Sequence, residues 1–368
     1  MDAASGHLAL TQDRKLVEYR EQAEAAPYAA GAVYAGRAGR VMKALGAMFV
    51  SLAPGVEGFL PFAEMRDTGI KPGDSLVVQI RRPPQGKKAA YLTQDIALAG
   101  RYAMLLPRGD YAHASKKAAS RQALKRLAQR LRPIDCGLVL RSKAEGVDEA
   151  VLAAEIARLQ SDWERLEQRS LHARPPALLQ PALDALTRLM QDENALPERV
   201  ITSSESAVAH LGLPVLVHED PFSLYGIRQQ LHQALKRRVY LPSGGTLVLD
   251  PTEAALVIDV NTSQDAKKGG DLILRTNLEA AVEIARLLRL RRAGGIILID
   301  FIDMADDQQR DVVSSALRAA LMEDPVPSEV LGFTRLGLME MTRKKMDTPL
   351  PAQGAQAGTQ EDEDSPDA

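Results

Sequence analysis

The sequence has little cysteine and no long apolar run. Cys136 is the only cysteine among its 368 residues, which excludes an intrachain disulfide framework and a two-cysteine zinc site within one chain. No apolar run approaches the ~20 residues that a membrane-spanning helix needs, and Met1–Arg20 lacks the apolar core of a signal peptide. We therefore expect no membrane span and a location in a reducing compartment, the cytoplasm.

Acidic and basic residues nearly balance, but they are unevenly distributed. The net charge is −2, and the chain is 45% hydrophobic and 26% charged, a globular composition that suggests two or three domains at this length. Residues 347–368 contain six acids and no Lys or Arg, so the remainder carries 42 acids against 46 bases. This segment is predicted to be disordered, either as a solubilising tail or as a competitor of a polyanionic ligand.

Short β-prone runs occupy residues 31–100, with Pro54-Gly55 and Pro72-Gly73 as turns between them. Such closely spaced short strands predict a small β-barrel. The runs are Gly31–Tyr34, Ala47–Leu52, Glu57–Phe62, Ser75–Ile80 and Ala89–Ile96.

Two helices are predicted after the barrel. His113–Arg132 contains seven Lys or Arg residues and no acid, and its leucines recur at helical spacing, which indicates a basic amphipathic helix. Asp148–Gln168 is predicted as the second helix. Trp163 lies on its apolar stripe, so we expect Trp163 in the core rather than on a base-stacking surface. The weakly periodic stretch Ala182–His218 allows no assignment.

An α/β pattern begins at Pro221. The Ser243-Gly244-Gly245 turn predicts a β-hairpin. Two continuous apolar strands, Ala254–Val260 and Gly295–Phe301, flank a predicted helix at Asn277–Arg292, which indicates a sheet buried by helices. The other predicted elements are helices at Leu224–Arg237 and Gln309–Met322, and strands at Val239–Tyr240, Thr246–Leu249 and Val330–Phe333.

Oxygen-bearing side chains stand near the carboxyl ends of the two apolar strands, where sites of open α/β sheets form. Asp259 and Asp300 each lie at such an end, and Asn261 follows at i+2 on the same face as Asp259. Carboxylates with room for phosphate oxygens suit Mg²⁺, so this arrangement predicts a metal site for phosphodiester chemistry. Either aspartate alone could equally cap a helix or turn, a role that fits Asp303 and Asp306 better.

Lysines and arginines surround these strands in the sequence. They predict either contacts to phosphates or a solvated helix face, and charge alone does not separate the two. The residues are Lys267, Lys268, Arg286, Arg289, Arg291 and Arg292.

Several stretches of the C-terminal half together resemble the bacterial ribonuclease E/G endoribonucleases. They are Arg238–Gly245, Val257–Asn261, Asn277–Arg291, Gly294-Gly295, Ile299–Met304 and Arg335–Arg343. Further upstream, Ala47–Val50 and Glu57–Pro61 more weakly resemble the S1-type RNA-binding domain of that family, an OB barrel. This resemblance implies a multidomain fold that combines α/β and all-β parts, with an S1-like OB barrel inserted ahead of an RNase H-like/DNase I-like α/β catalytic region.

The resemblance also implies domain boundaries. A reduced RNase H-like subdomain would be formed by residues 1–27 and 182–220, and a DNase I-like catalytic domain by residues 221–346. Between them would lie the S1-like OB fold, 28–100, and a 5′-sensor-like α/β region with the basic helix, 101–181; residues 347–368 would be the acidic tail.

Catalytic roles follow by the same resemblance. Asp259 and Asp300 match the two Mg²⁺-binding aspartates of the family, with Mn²⁺ as an alternative ion, and Asn261 matches the asparagine that supports them. The implied activity is metal-dependent cleavage of single-stranded RNA to leave 5′-phosphate products, in rRNA processing or mRNA decay. Two alternatives stay open: an RNA-binding protein of the same fold with weak or no cleavage, and a compact nuclease that acts on structured RNA or DNA.

Binding roles are implied for other residues. Phe49, Phe59 and Lys87 match positions that contact RNA, although either phenylalanine could equally be a core residue. Arg141 and Ser142 match part of a pocket that senses a 5′-monophosphate. The second arginine of that pocket falls near Pro327, where no cation stands, so weaker recognition is expected.

The sequence departs from the family in its oligomerisation element. The zinc-linking CPxC motif and the small C-terminal domain are missing, so we expect no zinc link and no zinc-held tetramer. A weak homodimer is the alternative to a monomer, and partners of the degradosome type are not predictable.

Overall fold

A computed structural model describes residues 1–21, 27–67, 69–86, 88–193, 195–262, 270–345 and 350. The chain divides into two compact units, one formed by Met1–Glu21 with Asn194–Ala368 and the other by Gln22–Glu193. No helix in the described part of the chain combines the length and the apolar character that a membrane crossing requires. The predictions for Lys87 and, apart from Leu350, for the tail 347–368 concern residues outside this described part.

The first unit begins with an antiparallel hairpin, and the described residues of the second unit form ten strands and three α-helices. The hairpin consists of β1 (His7–Gln12) and β2 (Lys15–Glu21). The strands of the second unit are β3 (Val33–Met42), β4 (Ala47–Ala53), β5 (Val56–Pro61), β6 (Ser75–Arg82), β7 (Ala90–Thr93), β8 (Leu98–Ala99), β9 (Ala103–Leu106), β10 (Ala112–Ala114), β11 (Gly137–Leu140) and β12 (Ala177–Gln180). Its helices are α1 (Arg121–Leu131), α2 (Glu149–His172) and α3 (Ala185–Asp192).

Five strands of the second unit close into a barrel, as the sequence predicted. The order β3-β4-β5-β7-β6 is closed by a direct pairing of β6 with β3, and β12 adds to β3 from outside. Side chains alternate along each strand, and the inward ones, such as Met48, Val50 and Leu60, are almost fully buried. This arrangement is that of an OB-like domain.

The basic helix is shorter than predicted. Residues Ala112–Ala114 form β10, which pairs in parallel with β11, and the helix α1 begins only at Arg121. The carboxylate of Glu145 accepts hydrogen bonds from the backbone N–H groups of Ala119 and Ser120 at 3.1 and 2.5 Å, which fixes this start. Trp163 on α2 packs against the core cluster that α1, α2 and β9 share, as expected.

In the described residues, the first unit also contains eight further strands and three α-helices. The strands are β13 (Val200–Thr202), β14 (Val215–Val217), β15 (Arg238–Tyr240), β16 (Thr246–Pro251), β17 (Ala255–Asn261), β18 (Gly295–Asp300), β19 (Ser328–Phe333) and β20 (Met339–Arg343). The helices are α4 (Ile227–Ala234), α5 (Gly270–Leu290) and α6 (Asp307–Met322).

A six-stranded mixed sheet organises this unit, in the order β15-β16-β17-β18-β20-β19. The predicted hairpin is present as β15 and β16, and β17 runs parallel to β18 after the α5 crossover. Strand β20 was not predicted; it inserts between β18 and β19 and pairs antiparallel with both.

Helices cover only one face of this sheet in the described part of the chain, whereas the sequence predicted a sheet that helices bury. Ile258 and Ile299 are fully buried in the cluster that includes side chains of α5 and α6. The alternate residues Val257 and Ile296 point to the opposite face and are 36% and 53% exposed. Because both strands are apolar on both faces, periodicity could not reveal that one face is open.

Candidate functional site

Asp259 and Asp300 lie side by side on the open face of the sheet. They are register partners on the parallel strands β17 and β18, and adjacent strands are about 4.8 Å apart. Asn261, two residues after Asp259, points to the same face, and its Nδ2 donates a hydrogen bond to Asp259 Oδ2 at 2.6 Å. The structure thus brings the three predicted residues together at the carboxyl ends of two strands.

A third carboxylate acts on this pair. Burial, and then the neighbouring charges of Asp259 and Asp303, raise the pKa of Asp300. Asp303 was expected to be a cap, whereas Asp306 is the residue that caps α6, by accepting a hydrogen bond from the Gln309 N–H at 2.8 Å. The sheet edge therefore concentrates negative charge, which a cation would stabilise.

A buried asparagine holds the chain just after Asp300. Asn277 on α5 is fully buried; its Nδ2 donates to the Ile302 carbonyl at 2.8 Å and its Oδ1 accepts from the Ile302 N–H at 3.1 Å. We call these two hydrogen bonds the Asn277 clamp. The clamp fixes the exit of β18, and with it the direction in which Asp300 and Asp303 leave the sheet.

The hairpin turn is fitted closely against the end of β17. A Cβ at Gly245 would lie 2.8 Å from both the Asn261 carbonyl oxygen and the Thr276 Cγ2, so only glycine fits there. Glu279 on α5 accepts a hydrogen bond from the Ser243 N–H at 2.8 Å, which anchors the turn to the helix. These contacts determine where the strand that carries Asp259 and Asn261 ends.

The donor set fits a hard divalent cation. Two adjacent carboxylates and one amide offer oxygen ligands at a partly open surface, where Mg²⁺ can retain several waters and accept phosphate oxygens. Among the described residues no group of three or more His, Cys, Asp or Glu side chains could enclose a metal. A site of this kind would therefore hold its ion with two carboxylates and complete the coordination with water or substrate.

The barrel carries an aromatic row on its outer surface. Phe49 on β4 and Phe59 on β5 are register partners whose rings meet edge to face at 5.9 Å, and each alternates with buried neighbours. The alternative that they are core residues is therefore excluded. Tyr91 on β7 pairs in register with Phe59 and continues the row at 6.2 Å.

An arginine covers each end of this aromatic row. The guanidinium of Arg40 lies 5.0 Å from the centre of the Phe49 ring, and that of Arg82 lies 4.4 Å from the centre of the Tyr91 ring. The sequence analysis missed Tyr91, although Tyr91 alternates with the buried Ala90 and Leu92 in the way that marks an outward residue. Nothing in the local sequence indicated that Arg40 and Arg82 lie over aromatic rings, because only the closed barrel brings them there.

Arg141 and Ser142 follow β11, and Arg141 is engaged within its own unit. Its Nη1 donates to the Gly100 carbonyl at 2.9 Å and its Nη2 lies 3.8 Å from the Asp192 carboxylate. Lys143 donates to the Gln191 carbonyl at 2.6 Å, and burial, together with the charges of Arg141 and Arg101, lowers the pKa of Lys143 to about 8. These cations stabilise the C-terminal end of α3, where carbonyl groups accumulate.

Four arginines in and just after the C-terminal half of α5 form neither a phosphate-binding surface nor a solvated face, because each binds acceptors within its own unit: Arg286, Arg289, Arg291 and Arg292. Arg289 donates to Glu18 at 2.7 and 3.0 Å, and Arg291 donates to the Ala234 and Lys236 carbonyls at 2.8 and 2.5 Å. Arg286 and Arg292 likewise bind the carbonyls of the β2 hairpin strand. Lys267 and Lys268 lie outside the described residues.

Comparison with known proteins gives one family. The profile of the Ribonuclease E/G family matches residues 97–346. Ribonuclease G of Salmonella typhimurium and of Escherichia coli K12 are each 33% identical over 369 residues, which cover 90% of this chain and 76% of theirs. Ribonuclease E of Nostoc is 33% identical over 350 residues. This aligned region covers 86% of the present chain but only about half, 51%, of that relative.

Proposed function

The chain belongs to the ribonuclease E/G family, and on this premise we propose that it is a divalent-metal-dependent endoribonuclease acting on single-stranded RNA. The products would carry 5′-phosphates, and the role would lie in RNA processing or decay. The observation that supports this proposal most directly is the adjacency of Asp259 and Asp300 on the open face of the sheet, with Asn261 bonded to Asp259.

Asp259 and Asp300 would hold the ion, and Asn261 would orient the Asp259 carboxylate through its 2.6 Å hydrogen bond. When bound, Mg²⁺, or Mn²⁺ in its place, would polarise the phosphodiester and lower the pKa of a water for attack. The raised pKa of Asp300 reflects its burial and two neighbouring carboxylates. A bound cation would offset that repulsion and favour the ionised form of Asp300.

The barrel would bind the single strand. Bases stack on exposed aromatic rings at about 1–3 kcal/mol each, with little sequence preference. Phe49, Phe59 and Tyr91 offer three rings in one row, and Arg40 and Arg82 offer positive charge at its ends. Displacing an arginine from an exposed ring costs about 0.5–1 kcal/mol, so stacking of a base can replace it and release the guanidinium to a phosphate.

A 5′-monophosphate would contribute little to recognition. The Arg141 guanidinium already contacts the Gly100 carbonyl and lies near the Asp192 carboxylate, so an incoming phosphate would compete with both. We expect oligonucleotides with a 5′-monophosphate and a 5′-hydroxyl to be cut at similar rates. A large preference for the monophosphate would contradict this part of the proposal.

The proposal is tested with Asp259→Asn and Asp300→Asn. Purified protein is incubated with end-labelled single-stranded RNA in Mg²⁺ and in EDTA, and RNA affinity is measured in parallel by fluorescence anisotropy. Each variant should lose cleavage while its RNA affinity stays within a few fold. Asp307→Asn is the matched control, because Asp307 pairs with Arg310 on the surface of α6.

Three outcomes are informative. Loss of cleavage in both variants and in EDTA, but not in the control, supports the assignment. Unchanged turnover in both variants overturns the metal site. RNA binding by the wild type without any cleavage would favour the alternative function, an RNA-binding protein of the same fold.

A further inference from the structure

Strand β15 places two residues on the same face as the aspartate pair. Arg238 is the register partner of Val248, and Val248 is that of Asp259. Since Asp259 pairs with Asp300, these four positions form one row across four strands. Cross-strand partners project to the same side of a sheet, so the Arg238 side chain rises from the open face in line with both aspartates.

Tyr240 occupies the next row. It pairs with Thr246, and Thr246 pairs with Asn261. Val239, between Arg238 and Tyr240, is 9% exposed and lies in the core cluster of α5, which confirms that its two neighbours point outward. Tyr240 is 73% exposed, an unusual exposure for an aromatic side chain beside a cluster of acids.

The distance between Arg238 and Asp259 suits a second nucleotide beside the one whose phosphate lies at the aspartates. Arg238 and Asp259 are two strands apart, which corresponds to about 10 Å between their backbones. Their side chains can therefore contact neighbouring groups of one bound strand without contacting each other. An RNA chain lying across the strands, with a phosphate at the aspartates, would bring its next nucleotide over β15.

The chemistry of the two side chains matches that nucleotide. In the described part of the chain no hydrogen bond or ion pair engages the Arg238 side chain, whereas the adjacent Arg237 binds both Asp250 oxygens at 2.5 and 2.6 Å. A guanidinium binds phosphate through paired donors, and a tyrosine ring stacks on any base. Arg238 also offsets the negative charge that Asp259 and Asp300 present to an anionic substrate.

We propose that Arg238 and Tyr240 form a nucleotide-binding subsite beside the aspartate pair, in which Arg238 contacts a phosphate flanking the scissile one and Tyr240 stacks on a base. This inference rests on the proposed endoribonuclease function. Both residues would bind the substrate directly, while the aspartates serve the reaction. The competing explanation for Arg238 is protection of the edge strand β15 against sheet-to-sheet pairing, which requires no exposed tyrosine.

The test compares four variants with one control. Tyr240→Ala should raise KM for a single-stranded oligonucleotide by about 5- to 150-fold, the factor that loss of one stacked base implies, and leave kcat within about twofold. Tyr240→Phe should behave as the wild type because it keeps the ring. Arg238→Ala should raise KM, most strongly at low salt, and reduce the salt dependence of RNA affinity by about one ion, whereas Arg238→Lys should keep that dependence.

Arg237→Ala is the matched control. It removes one positive charge at the neighbouring position, but the guanidinium that it removes is already bound to Asp250. Affinity is measured by anisotropy in the Asp259→Asn background, so the result does not depend on cleavage. Equal affinities of Tyr240→Ala, Arg238→Ala and Arg237→Ala overturn the subsite and favour edge protection. Unchanged cleavage in both Asp259→Asn and Asp300→Asn overturns the proposed metal site instead, and wild-type protein that binds no RNA overturns both proposals.

Discussion

The Asn277 clamp gives a sharp test of how the fold positions Asp300. Asn277→Ala removes both hydrogen bonds to Ile302, at 2.8 and 3.1 Å, from a fully buried position. Two hydrogen bonds contribute about 1 kcal/mol each, and the unpaired Ile302 N–H and C=O add a desolvation cost. Because Ile302 is partly exposed and water can reach it in part, we expect the free energy of unfolding to fall by about 2–4 kcal/mol.

The variant Asn277→Asp separates shape from hydrogen bonding. Its introduced carboxyl keeps the acceptor for the Ile302 N–H, but when ionised it faces the Ile302 carbonyl without a proton to donate. Burial raises the pKa of such a carboxyl in the folded state. Because the pKa of this carboxyl is higher in the folded state than in the unfolded state, the free energy of unfolding of Asn277→Asp is closest to that of the wild type at low pH. It falls as the pH rises through the folded-state pKa.

Hydrogen exchange and urea unfolding measure these effects. The peptide that contains Ile302 should exchange faster in Asn277→Ala, cleavage should slow because Asp300 loses its fixed direction, and RNA affinity should stay within a few fold. Thr276→Val, a buried neighbour on the same helix, is the control and keeps the clamp. Wild-type exchange at Ile302, together with a stability loss below about 0.5 kcal/mol, would refute the reasoning.

Three further predictions concern other contacts. Tyr91→Ala should weaken binding of single-stranded RNA by about 5- to 150-fold, and Tyr91→Phe should not, as measured by anisotropy; equal affinities would remove Tyr91 from the aromatic row. Burial opposes ionisation of Glu18, but the charges of the nearby arginines outweigh burial and lower the pKa of Glu18. Glu18→Gln should therefore reduce the free energy of unfolding at neutral pH, and this reduction should shrink as the pH falls below about 4.5. A difference in urea unfolding that does not change with pH would contradict this. Asp324→Ala should lower the free energy of unfolding by about 3–5 kcal/mol, because it leaves the buried Arg343 guanidinium without its carboxylate partner. Adding Arg343→Met to Asp324→Ala should recover part of that stability. No recovery in the double variant would show that the ion pair is not the cause.

The parts of the fold that follow from local pattern were predictable. The barrel strands alternate and are bounded by turn residues, and the two apolar runs around α5 have the length and composition of strands. The adjacency of Asp259 and Asp300 followed as well, because strands joined by one helical crossover are neighbours in most sheets. These inferences need only sequence-local information and one topological rule.

Other features depend on distant partners and left no local signal. Strand β20 lies between β18 and β19, so its place in the sheet is decided by two strands that precede it in the chain. Tyr240 belongs to a motif that was recognised, but its exposure depends on which face of β15 packs on the helices. The same applies to Arg82, which meets Tyr91 only because β6 and β7 pair in the closed barrel.

Charge near a site in the sequence is a poor guide to charge at the site. Arg289 at the end of α5 and Arg291 just after the helix follow Asp259 closely in the sequence, yet both are 8% exposed and bind Glu18 and backbone carbonyls. A guanidinium held inside the fold in this way cannot neutralise a phosphate on the open face of the sheet, which lies opposite the helices. Strand positions whose side chains share the rows of that face can supply cations to it, and in β15 that position is Arg238.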